Sequence, residues 1–164
     1  MVQIRADNRF VLKSSLLAIA LLLIATGAFA RPASLEGKWR LNLKESELLP
    51  GEAAPSELLM AITKDDAQGF RWTATVKMSD GASGQTGFDG AIDGKPYPVA
   101  GRPGSTSSFS WTPDRALKQV SQSPGGIAVE ICRIAAGGAR LTCEARQTDK
   151  SGQAASYVEV FDKM

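Results

Sequence analysis

From Phe70 to Met78 the chain reads Phe-Arg-Trp-Thr-Ala-Thr-Val-Lys-Met, with apolar and polar residues alternating over nine positions without a slip. A period of two belongs to a strand with one face on a core and one in solvent, and a helix of period 3.6 cannot present it. The same period sets Trp39, Leu41 and Leu43 against Lys38, Arg40, Asn42 and Lys44, and puts Phe109 on a face with Trp111. Between such runs stand Pro50-Gly51, Asp80-Gly81, Asp93-Gly94, Pro103-Gly104, Pro124-Gly125-Gly126, Gly137-Gly138 and Ser151-Gly152, residues that turn the chain sharply. Strands are predicted near 36–43, 57–64, 69–78, 84–92, 96–99, 106–112, 115–121, 126–135, 139–148 and 153–162, with one short helix over 44–49. The fold class is therefore all-β. Closure removes the unpaired edges of such a meander, which predicts a single antiparallel up-and-down β-barrel of about eight to ten strands. A two-sheet sandwich has the same periodicity and stands as the alternative.

Residues 1–30 precede this pattern and do not share it. Arg5, Arg9 and Lys13 lead into an apolar core from Leu16 to Ile24, and Ala28-Phe29-Ala30 precedes Arg31, the layout of a secretory signal peptide cleaved after Ala30. The uncharged stretch from Ser14 to Ala30 is 17 residues, short for a membrane span. The expected domains are thus a signal peptide, 1–30, and a barrel, 31–164, periplasmic or secreted and without stable membrane insertion after cleavage. Subtracting the signal's three basic residues and one acid from totals of 19 and 17 leaves 16 of each. The pI of 8.6 for the whole chain thus comes largely from the signal and is no argument for nucleic-acid binding.

The chain contains no histidine. That excludes Ser-His-Asp and Cys-His catalytic sets and the commonest zinc sites. The remaining chemistry is sparse. Asp65-Asp66 reads as a turn before Gly69, Gly101-Arg102-Pro103-Gly104-Ser105 lacks the lysine and helix of a phosphate loop, and the serines at 105–108 have no base to activate them. No cofactor, no metal and no enzymatic activity are expected.

The two cysteines, Cys132 and Cys143, lie on the arms of a hairpin centred between Gly137 and Gly138, which places them directly opposite each other. A two-residue Gly-Gly turn would put them at a hydrogen-bonded position. A four-residue loop, 136–139, would put them at the closer non-hydrogen-bonded one, which suits a disulfide better. Ten intervening residues do not make a redox Cys-x-x-Cys motif, and in an exported protein a structural bridge is the expectation.

Two stretches, Leu35-Glu36-Gly37-Lys38-Trp39-Arg40-Leu41-Asn42 with Ser46 after it, and Asp93-Gly94-Lys95-Pro96-Tyr97-Pro98-Val99-Ala100-Gly101, carry a family likeness. They resemble the LxGxWxLN and DGKxYPVxG motifs of a largely uncharacterised family of small secreted bacterial lipocalin-like proteins. The Gly-x-Trp unit is also similar to the opening of lipocalin-type barrels, whose tryptophan closes one end. The resemblance implies a calycin-type barrel, a small apolar ligand and no catalytic residues. Structural roles follow for Gly37, Trp39 and Tyr97. One departure stands out: lipocalins pack a late arginine over the opening tryptophan, and after Arg146 this chain offers only Lys150 and Lys163 as cations.

The expected function is that of an exported, non-enzymatic binding protein for a small hydrophobic ligand, with Met60, Trp72, Met78, Phe88, Phe109, Trp111 and Tyr157 as candidate contacts. Methionines and aromatics make adaptable apolar walls. With aromatics at 7% of the chain, side chains filling the interior are favoured over an open cavity. The alternative function is a periplasmic or secreted protein-interaction module, such as a protease-inhibitor-like barrel acting through the loops at one end. No protein partner is identified by any motif.

Overall fold

The structure, a computed structural model, describes residues 34–164, so the predicted signal peptide and the cleavage site at Ala30 lie outside the described residues. Ten strands follow one another: β1 (Gly37–Leu41), β2 (Pro55–Asp66), β3 (Gly69–Met78), β4 (Ser83–Gly90), β5 (Tyr97–Ala100), β6 (Thr106–Trp111), β7 (Leu117–Ser123), β8 (Gly126–Ile134), β9 (Arg140–Asp149) and β10 (Ala154–Lys163). Each pairs antiparallel with its sequence neighbours, and β1 pairs with β10 to close the barrel. Closure decides between barrel and sandwich. The short helix expected over 44–49 does not form. The chain makes one turn there, with Ser46 N–H donating to the Asn42 carbonyl at 3.0 Å, and Glu47 is then drawn into a bridge with Val158 of β10.

One end of the barrel is packed solid. Trp39 is fully buried, and its indole N–H donates to the Leu35 carbonyl at 2.8 Å, so the largest side chain in the core leaves no polar atom unpaired. Lys163 lies over the indole, its Nζ 5.1 Å from the ring centroid, and takes the position that the lipocalin pattern gives to an arginine. Gly37 makes that approach sterically open: its φ of +140° disfavours a side chain, and a Cβ there would sit 2.5 Å from Lys163 Cε. Above the plug, Phe70, Phe88 and Phe109 pack with centroids 4.6–6.3 Å apart, and Tyr97 meets Phe88 edge-on at 5.9 Å. The Tyr97 hydroxyl donates to Asp93 Oδ2 at 3.1 Å, and Asp93 Oδ1 accepts from Lys95 N–H. Asp93–Lys95 is thus a self-bonded turn that leads into β5, whose Tyr97 packs on the aromatic cluster.

A bulge in β2 settles the fate of Asp65 and Asp66. The register with β3 shifts between Ile62 and Lys64, so the inward face passes from Ile62 to Asp65 in place of Lys64. Asp65 is buried and accepts from Leu35 N–H at 2.8 Å, pinning the segment that crosses the closed end. Asp66 faces the other way and accepts from Gln68 and Gly69 N–H, forming the expected turn.

Cys132 and Cys143 are paired in register and joined, with Cα atoms 4.0 Å apart. Ala135 N–H donates to the Arg140 carbonyl beneath a four-residue loop, 136–139, and counting outward from that pair gives the non-hydrogen-bonded position. The bridge spans a sequence separation of 11, and a loop of that size stabilises by on the order of 3 kcal/mol. The double substitution Cys132→Ser with Cys143→Ser should therefore lower the melting temperature by roughly 5–10 °C while leaving a cooperative transition and the β-sheet circular-dichroism signal. Two reactive thiols in the native protein, or an unchanged melting temperature, would contradict this.

Candidate ligand cavity

The other half of the barrel is not filled. A cavity of about 290 Å³ extends from the aromatic cluster toward the end that carries the 79–82, 124–125 and 150–153 turns. The expectation of a side-chain-filled interior holds only for the closed end. The reason is a mismatch in residue size around the ring. β2 and β3 turn Leu58, Met60, Ile62, Trp72, Ala74 and Val76 inward, whereas the facing strands contribute Gly126 and Ala128 from β8 and the disulfide between β8 and β9. Small residues on one wall leave space that the large residues of the other do not reach.

Of the seven expected contacts, four line this cavity: Met60, Trp72, Phe109 and Tyr157. The other three do not. Phe88 shares the inward face but lies within the closed end, 3% exposed and covered by Phe70, Phe109 and Tyr97. Met78 continues the inward face of β3 past the cavity, into a shallow recess beside the β3–β4 turn. Trp111 ends β6 at the closed end and is 38% exposed. In each case the alternation assigns the correct face, but a face says nothing about height along the barrel.

Residues outside that set change the character of the cavity. Glu130 of β8 and Glu159 of β10 both line it, as do Gln119 and Ser121 of β7, Ser107 of β6 and Arg102 at the rim. Ser107 and Ser121 share a hydrogen bond of 2.8 Å, and Gln119 Nε2 donates to both hydroxyls at 3.2 and 2.7 Å. Glu130 Oε1 lies 3.5 Å from Cys132 Sγ, which as half of a disulfide has no proton to give. The same pair explains why the Glu130, Cys132 and Cys143 grouping is not a thiolate metal site. Burial, with the nearby Glu159 carboxyl, pushes Glu130 up to about 8. Glu159 is raised by burial and partly relieved by Arg102, and the Tyr157 hydroxyl is raised by burial and by Glu130, Glu159 and Glu52. The cavity is apolar along β2 and β3 and carries the Glu130 and Glu159 carboxyls on β8 and β10.

In sequence no protein-family model and no curated protein matches the chain. Solved structures do match in fold. The S-type phycobiliprotein lyase CPES from Guillardia theta superposes with a TM-score of 0.54 at 11% identity, over 79% of this chain and 88% of that one. The fluorescent protein UnaG superposes with a TM-score of 0.50 at 16% identity, over 79% and 96%, and a UnaG mutant with 0.52 at 14%, over 79% and 95%. These likenesses show a lipocalin-like, calycin-type barrel.

Glu130 also links stability to pH. Its carboxyl binds its proton more tightly folded than unfolded, so its contribution is fully present below its ordinary value of 4.5 and is lost as pH rises through about 8. Glu159 acts with the same sign. The melting temperature should fall by at least about 3 °C between about pH 5 and about pH 8.5. Glu130→Gln should flatten that slope, and an equal slope in the variant would contradict the assignment.

Proposed function

We propose that the chain is an exported binding protein, without enzymatic activity, that holds one small molecule of largely apolar body inside the barrel. The observation that carries this reading is the cavity itself. Its volume of about 290 Å³ is about twice that of an apolar cavity that accommodates benzene, and near the lower end of small-molecule sites. The guest is therefore a short chain or one to two rings. Export is supported by the signal-like layout of residues 1–30 and by the disulfide, a bond of oxidising compartments.

A second reading, as a protein-interaction module, is favoured by one observation. Ile127 and Val129 stand 48% and 37% exposed on the outer face of β8, with Val120 paired to Val129. These residues lie on the wall and not on the end loops. Exposed apolar patches of this kind are where partners dock.

Native mass spectrometry of the protein purified from its own host should show a stoichiometric added mass, lost on denaturation. Titration with 1-octanol should shift the tryptophan emission, and Trp72→Phe should remove the shift, because Trp72 is the tryptophan that lines the cavity. Repeated absence of added mass together with an unresponsive Trp72 would overturn the proposal. Loss of partner capture in Ile127→Lys with Val129→Lys, with no mass ever found in the cavity, would favour the second reading.

A further inference from the structure

The polar wall is specific about what it accepts. Glu130 pairs in register with Ala145, and Glu159 with Cys143, so the two carboxyls flank β9 on opposite sides, one inward step apart. The inward residues of β9 between them are small, and both side chains line the cavity. Gln119 is Glu130's register partner on β7. Its amide donors are spent on the Ser107 and Ser121 hydroxyls, which leaves Oε1 as an acceptor. No N–H or O–H among the described residues donates to either carboxyl. Arg102 is the cation among the described residues that line the cavity; it acts on Glu159 from the rim without forming an ion pair with it.

A wall of acceptors facing an apolar wall discriminates between head groups. A carboxylate or phosphate would bring a further negative charge into a site whose burial already resists ionising Glu130 and Glu159, and would have no donor to offer Gln119 Oε1. A purely apolar guest would leave buried acceptors without donors, which is costly. An ammonium brings three donors and one positive charge.

Resting on the binding reading above, we propose that the cavity selects a small amphipathic primary amine in its protonated form. Its ammonium is seated among Glu130, Glu159 and Gln119 Oε1, and its apolar body lies against Met60, Ile62, Trp72 and Ala74. The charge balance is simple. Near neutral pH the empty site holds a proton on Glu130, which is pushed up to about 8. The incoming ammonium replaces that proton, which leaves to solvent. The other ionisable groups facing the pair are Tyr157 on β10 and Arg102 in the β5–β6 loop, with Glu52 of the β1–β2 loop acting on Tyr157.

Octylamine, 1-octanol and octanoate share a tail and differ in the head group, so titration calorimetry of the intact chain with all three separates the possibilities. Octylamine should bind at least about tenfold more tightly than 1-octanol, the strength expected of a charge-assisted hydrogen bond, with octanoate weakest. In two buffers of different ionisation enthalpy the octylamine heat should report release of up to about one proton per amine bound at pH 7. In Glu130→Gln with Glu159→Gln the preference for amine over alcohol should fall to within about twofold, with proton release gone. Equal binding of amine and alcohol, tighter octanoate, or an amine heat independent of buffer would overturn the amine assignment while leaving the binding reading intact. Failure of all three to bind would overturn both.

Discussion

The pairing of β1 with β10 decides which side of every strand is inside. Three register pairs, Trp39 with Lys163, Arg40 with Asp162 and Leu41 with Phe161, convert a ten-stranded meander into a closed wall. Trp39 fills the bottom of that wall, with its N–H satisfied by Leu35 and its face covered by Lys163. Losing a fully buried aromatic costs roughly 3–5 kcal/mol against a net stability of about 5–15 kcal/mol. A single side chain thus accounts for a large part of the closed state. The segment that crosses beneath it is held by Asp65, a group that faces inward because of a bulge in β2.

Above the plug, interior volume follows from residue size. Phenylalanines from β3, β4 and β6 meet and exclude space, whereas beyond them the strands away from β2 and β3 line the cavity with Gly126, Ala128, the disulfide and polar side chains that include Gln119, Glu130 and Glu159. The carboxyls do not fill the space as leucines would, and they resist ionising in it. The cavity and its electrostatics therefore have one origin: polar and small residues on an inward face where a packed barrel carries large apolar ones.

Most of the fold was legible in the sequence because period two and Gly-rich punctuation are local signals. All ten strands fall where the alternation puts them, and opposed cysteines across Gly137-Gly138 predict the β8–β9 register. The region 44–49 was not legible as irregular, since its exit is set by Glu47 bridging to β10, far away in sequence. The site was half legible. Met60, Trp72, Phe109 and Tyr157 were recognisable as apolar inward residues, but height along the barrel separates them from Phe88, Met78 and Trp111, and height depends on stagger between strands. Glu130 alternates with Ile127, Val129 and Ile131, and it is the glutamate that lines the cavity while Ile127 and Val129 stand exposed. A signal was present. Cys132 shares its face with Glu130, and Cys143 with Leu141 and Ala145, so an inward disulfide carries Glu130 inward with it.

The wall is also uneven in how firmly it is sewn. β5 meets β4 through two register pairs, Gly87 with Ala100 and Phe88 with Val99, and meets β6 through two more, one of them at Pro98, which has no N–H to give. Across the barrel, β8 and β9 share nine register pairs and a covalent bond. In the language of hydrogen exchange, the β5 seam is the unit with the least to lose on opening, while the strands carrying Glu130 stay protected until the whole sheet gives way. Arg102, in the loop that follows β5, thus borders the cavity from the loosely paired side, and Glu130 and the disulfide from the firmly paired one.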